Sequence, residues 1–165
     1  MHVSDRFISF LASWEGESLK AYQVPGESFW TIGVGHTGTV RGKRITKTTT
    51  ITKEESRTLL KKDLERFEEA VRRLVPYRWR RSRRRFETCV SLAFNMGEAI
   101  LTPEPPLESF GKVLRRQVTD RNITEACRAI RLYNKGGSPL RVMEGLVRRR
   151  DAEARLFKRG IYTNN

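Results

Sequence analysis

Four residues that can move a proton or hold a water stand near the start of the chain: Glu15, Glu27, Thr31 and His36. A carboxyl shielded from water keeps its proton to higher pH, which is what a general acid requires near neutrality. Glu15 closes an apolar helical pattern and is the candidate for that role; the competing reading is a solvated glutamate at a helix end. Thr31 lies in the apolar stretch Phe29-Trp30-Thr31-Ile32, where its hydroxyl either holds a water or simply satisfies the sheet. Glu27 is the only acid between Tyr22 and Thr31, so it is either the second carboxylate or an ordinary turn residue. Val24, in the same stretch, can neither accept a proton nor offset positive charge.

Other chemistries fit less well. Gly33-Val34-Gly35-His36 lacks the third glycine and following apolar helix of a dinucleotide site, so no cofactor is expected. His36 and His2 are the only 2 histidines, and no further ligand lies at metal-binding spacing, so no metal is expected either. A histidine held by a carboxylate is the simpler reading of His36. Cys89 and Cys127 sit on helical patterns and read as buried thiols; two cysteines make neither a zinc site nor a disulfide framework, and their pairing stays open.

The chain of 165 residues carries 33 Lys and Arg against 19 Asp and Glu, a formal net charge of +14. Such a field attracts polyanions: nucleic acid, anionic wall polymers or an anionic membrane surface. The densest run is Arg78-Trp79-Arg80-Arg81-Ser82-Arg83-Arg84-Arg85, followed by Arg148-Arg149-Arg150. Trp79 is the one feature of that run that favours nucleic acid, as an aromatic platform among cations. No apolar stretch reaches the roughly 18 residues of a membrane span, and no export signal is visible.

The elements that must position these residues follow from periodicity. Phe7, Ile8, Leu11 and Trp14 place an amphipathic helix over 4–14. Residues 19–50, rich in Thr, Val, Ile, aromatics and Gly, read as a small antiparallel sheet with turns at Pro25-Gly26 and Arg41-Gly42. Thr52 and Glu55 form a capping box that opens a long helix, with Leu59, Leu60, Leu64, Phe67, Val71 and Leu74 on its apolar stripe and Pro76 at its end. Further helices are expected over 83–96 and 107–117, the prolines at 103, 105 and 106 separating them. Asn122 and Glu125 repeat the capping pattern before another helix, and Ser138-Pro139 opens a last one through Leu146, Ala154 and Phe157. The predicted fold class is α+β and mainly helical: one domain over 1–165, with a small sheet lobe at 15–51, a linking helix at 52–75 and a helical lobe at 76–165.

Several blocks, in order along nearly the whole chain, resemble the phage-type lysozymes, the endolysin muramidases among glycoside hydrolases. They are Glu15-Gly16, Leu19-Lys20-Ala21-Tyr22, Thr31-Ile32-Gly33-Val34-Gly35-His36-Thr37, Leu60-Lys61-Lys62-Asp63-Leu64, Ala93-Phe94-Asn95-Met96-Gly97 and the segment from Gly145 to Glu153. The resemblance implies a lysozyme-like fold and hydrolysis of the β-1,4 bond between N-acetylmuramic acid and N-acetylglucosamine in bacterial peptidoglycan. It implies Glu15 as general acid, Thr31 as the residue that places the attacking water, and His36 with Asp63 as a structural pair joining sheet to long helix. The family's catalytic aspartate, nine residues after the glutamate, is here Val24, and the interval from Glu15 to Thr31 is one residue longer than usual. Glu27 is therefore the tentative replacement acid; the alternative function is a catalytically weak or inactive binder of wall glycan. The expected partners are peptidoglycan and, through the basic surface, anionic wall or outer-membrane polymers. Nucleic acid is not the expected partner, nor is stable membrane insertion expected. A monomer is expected, made in the host cytoplasm and reaching the wall after the membrane is permeabilised.

Overall fold

The computed structural model describes residues 1–105 and 108–163. It forms two compact units: Ser4–Glu65, and Met1–Val3 together with Arg66–Asn165. The architecture is α+β, with helices predominating and, among the described residues, three small antiparallel sheets. Among the described residues, no helix is long and apolar enough to cross a membrane.

The first unit opens on α1 (Asp5–Ala12), capped by Ser4, whose hydroxyl accepts from the Phe7 N–H at 3.2 Å. The helix stops two residues short of the expected Trp14, so Glu15 lies beyond it rather than at its last turn. Three strands follow in spatial order: β1 (Ser18–Tyr22), β2 (Thr31–Gly33) and β3 (His36–Thr37). A hairpin, β4 (Thr39–Val40) and β5 (Lys43–Arg44), turns through Arg41-Gly42, where both residues have positive φ. Ile32, Val40, Ile45 and Ile51 form this unit's apolar cluster, with Ala21, Trp30 and Leu59 packed on it.

The long helix α2 (Lys53–Leu74) begins in this unit and ends in the other. Its capping box has both expected bonds: Glu55 N–H to Thr52 Oγ1 at 3.1 Å, and Thr52 N–H to Glu55 Oε2 at 2.8 Å. The same carboxylate takes a bidentate pair from Arg41 at 2.6 Å on each arm. One acid thus fixes the hairpin turn against the helix start.

In the second unit, Pro76 leads into a short helix that periodicity did not predict, α3 (Tyr77–Arg80). Trp79 within it is fully buried, stacks on Phe157 at 5.8 Å and donates its indole N–H to Arg116 O at 3.0 Å. It is therefore a core residue and not an exposed platform for bases. Arg78 and Arg80 donate to main-chain carbonyls and Arg85 is buried, so much of the arginine run is internal scaffolding.

Next come α4 (Arg83–Met96), α5 (Glu108–Leu114), α6 (Asp120–Leu132) and α7 (Glu144–Arg159). The expected helix at 107–117 is shorter at its end, and Leu107 and Pro106 lie outside the described residues. The cap of α6 is Thr119, whose hydroxyl accepts from the Asn122 N–H at 3.2 Å, rather than Asn122 itself; Asn122 instead donates to Gln117 O. A hydroxyl three residues earlier offers the same cap chemistry, and sequence spacing does not separate the two. Ser138-Pro139 also opens no helix: it lies in the turn between β6 (Lys135–Gly136) and β7 (Arg141–Val142). Proline suits a turn as well as a first helical turn.

The cap is open to test. Thr52→Ala is expected to cost about 1 kcal/mol of stability, read from thermal or denaturant unfolding. Hydrogen bonding from Arg41, then from the Thr52 main chain, holds the Glu55 carboxyl at about 2, below its ordinary 4.5. A depressed carboxyl stabilises the fold above its unfolded pKa, and the effect fades as pH falls through its folded value. Glu55→Gln should therefore melt below the wild-type chain near about pH 6, with the gap closing toward about pH 2.

Candidate active site

Strand β2 is the centre of the site. It is buried along its length and paired on both sides, Thr31 with Tyr22 and Thr37, Ile32 with His36. Between the Ser18–Gly33 and Tyr22–Thr31 pairs, β1 uses four residue steps where β2 uses two. Such a bulge re-aims a strand. Here it frees Leu19 and Ala21 to bond Ile51 N–H and Thr49 C=O, on the side away from β2. Thr31 itself is only 4% exposed.

Glu15 stands in the turn between α1 and β1, after Trp14, whose N–H bonds Leu11 O at 3.0 Å. It is half-buried, and its Oε1 is screened from solvent. Two residues on, Glu17 accepts from Ser56 Oγ at 2.8 Å and lies 3.5 Å from Arg57 Nε. Arg57 also donates to Ile8 O at 3.2 Å. The end of α1, the Glu15 turn and the start of α2 are thereby tied together. No sequence spacing signals this support: Glu17 and Ser56 are 39 residues apart.

Val24 and Glu27 share a single exposed turn, closed by Glu27 N–H to Val24 O at 3.0 Å. Gln23 Nε2 braces it by donating to Glu27 O at 2.8 Å. The Glu27 carboxylate itself has no hydrogen bond or ion pair among the described residues. The turn follows directly from Tyr22, the residue paired with Thr31.

His36 ends the connection from β2. Its Nδ1 lies 2.8 Å from Asp63 Oδ2 and 3.0 Å from Oδ1, while Nε2 lies 3.0 Å from Thr39 O. A carbonyl and a carboxylate only accept, so whichever ring nitrogen carries a proton has an acceptor in place. Asp63 is on α2, so this pair anchors the sheet to the helix some two turns beyond Ser56. Among the described residues, no three His, Cys, Asp or Glu side chains cluster as a metal ion would require. Cys89 and Cys127 are free buried thiols, and burial pushes both up from the usual thiol range.

Similarity to known proteins decides the family. The phage lysozyme family model matches residues 12–153. The chain belongs to the phage lysozyme family. It is thus a lysozyme-type hydrolase, a muramidase that degrades bacterial peptidoglycan. The endolysin of Salmonella phage P22 is 36% identical over 157 residues, 95% of this chain and 98% of that protein. A crystal structure of a P22 lysozyme point mutant superposes with a TM-score of 0.76 at 36% identity, covering 95% of this chain and 98% of that one. The endolysin from Escherichia coli O157:H7 phage FAHEc1 gives 0.77 at 25% identity, with 99% and 97% covered.

The His36 contact supplies a test of how this family member holds its sheet. Asp63→Ala leaves a nearly buried ring N–H without its acceptor, and is expected to cost about 1–3 kcal/mol in unfolding free energy. Denaturant unfolding unchanged within about 0.3 kcal/mol would show the pair to be energetically idle.

Proposed function

We propose that the chain cleaves the β-1,4 bond between N-acetylmuramic acid and N-acetylglucosamine, with Glu15 as the general acid, Thr31 holding the attacking water and Glu27 accepting its proton. The observation that carries this reading is the turn beside Thr31. Val24 occupies the position of the family's aspartate, yet the same turn presents a carboxylate with no structural partner among the described residues. A group fixed in backbone but unengaged in side chain is suited to act on a ligand. Glu15 is suited to its role by its place, in the turn that leads into β1 with its Oε1 screened from solvent. Thr31 is suited by rigidity, since a water positioned from a doubly paired strand loses little further freedom on reaction.

In sequence, Glu15 protonates the glycosidic oxygen as the bond breaks, charge develops on the sugar ring, and the water at Thr31 adds while Glu27 removes its proton. His36 and Asp63 hold the sheet without touching the sugar. In the same reading residues 1–165 act as one lysozyme-like domain and as a monomer. The chain is made in the host cytoplasm and meets peptidoglycan once the membrane is permeabilised, as befits a relative of phage endolysins. The absence of an acid at Val24 supports a second reading, a weak or inactive binder of wall glycan.

Mass spectrometry of muropeptides released from purified wall distinguishes the two. Glu15→Gln is expected to lower cleavage roughly 100-fold or more while leaving the fold intact. Glu27→Gln should also lower it heavily, and Val24→Asp in the wild-type background should add little. A silent Glu27→Gln with a gain in Val24→Asp would remove Glu27 from the mechanism. Full activity of well-folded Glu15→Gln would remove the catalytic site altogether.

A further inference from the structure

We infer that the groove between α6 and α7 is a binding site for phosphate esters carried on a polyol or saccharide polymer of the bacterial envelope. The groove lies wholly within the second unit, where these two helices pack on each other. Arg128, Arg131, Arg155, Lys158 and Arg159 line it, against a single carboxylate, Asp151. Arg131 and Arg155 share that carboxylate, at 2.8 Å and 3.4 Å. Arg155 Nε is screened from solvent and faces Asp151 Oδ2 at that 3.4 Å. Lys158 reaches only the Thr124 hydroxyl, at 3.4 Å. Arg128 and Arg159 are exposed and have no carboxylate partner among the described residues.

Like charges gathered in a concave site repel each other, and a bound anion relieves that repulsion. Phosphate suits these groups best: guanidinium forks match its oxygens two at a time, and its several acceptors serve more than one cation at once. The other polyanion class, nucleic acid, is recognised through bases stacked on aromatic rings beside the cationic track. No aromatic side chain lines this groove; its floor is Cys127 and Ala154. The phosphate assignment stands on these contacts alone. Choosing an envelope polymer as carrier rests on the wall-degrading activity, to which the groove would add a hold on polymer that accompanies the glycan.

The test is a titration of the ¹⁵N-labelled full chain with inorganic pyrophosphate and with poly(glycerol phosphate), followed by NMR. Saturable shifts confined to residues 124–131 and 151–160 are expected with both. Affinity should be at least about tenfold weaker in the Arg128→Gln/Lys158→Gln/Arg159→Gln variant, which removes three unpaired cations and leaves the Asp151 pairs alone. Lys43→Gln/Arg44→Gln/Lys47→Gln removes the same charge from exposed residues elsewhere and should leave affinity within about twofold. Equal weakening by both variants, shifts spread over other surfaces, or pyrophosphate binding without polymer binding would overturn the inference. So would an oligonucleotide of equal phosphate number binding more tightly at the same amides. If the groove variant does not fold, the wild-type shift map decides by itself. Binding is read without turnover, so a chain that binds but does not cleave contradicts only the catalytic proposal.

Discussion

A methyl group placed on Gly33 would stand 3.1 Å from Ser56 Oγ and 3.4 Å from an Ile51 methyl. The backbone of β2 therefore lies directly on the first turn of α2, where any side chain would crowd Ser56 and strain a φ of +64°. Much of the local geometry depends on this approach. Ser56 sends its hydroxyl to Glu17, which fixes the segment just after Glu15. Thr31 is two residues before Gly33 on the same strand. Glu15 and Thr31 are thus referred to one point on one helix.

That junction is reinforced from both flanks. The capping box puts Glu55 beside Ser56, and its carboxylate reaches on to Arg41 in the β4–β5 turn. One turn beyond Leu59, Asp63 holds His36 at the far end of the connection from β2. The rigid parts of the first unit are thereby the parts that need precision. The turn bearing Val24 and Glu27 is different: it is exposed, braced only through its own main chain and Gln23. Variation in the identity and position of an acid there disturbs no core packing, so the fold tolerates valine at position 24.

The α+β class was legible because the period of the apolar residues changes sharply at Thr52, from strand-like to helical. The capping box at Thr52 and Glu55 was legible because its two bonds are local. The Thr119 cap and the Pro139 turn were not, since each residue type suits two local structures and tertiary packing selects between them. Trp79 was misleading for another reason: its neighbours in sequence are cations, but its neighbours in space are Phe157 and the Arg116 carbonyl. The same holds in reverse for the α6–α7 groove, whose cations are scattered between positions 128 and 159 and gather only when the helices pair. Glu15, Thr31 and His36 were visible in the sequence as candidates by type and spacing, whereas the support from Glu17 and Ser56 joins residues too far apart to show a pattern.

In the proposed mechanism a water held at Thr31, not a carboxylate on the protein, attacks the sugar. A single displacement by water inverts the anomeric centre, whereas a covalent or substrate-assisted route retains it. The direct measurement is proton NMR of the new reducing end within the first moments of cleavage of a short β-linked glycan, before mutarotation. The α anomer should appear first and relax to the equilibrium mixture. Initial appearance of the β anomer would contradict the account.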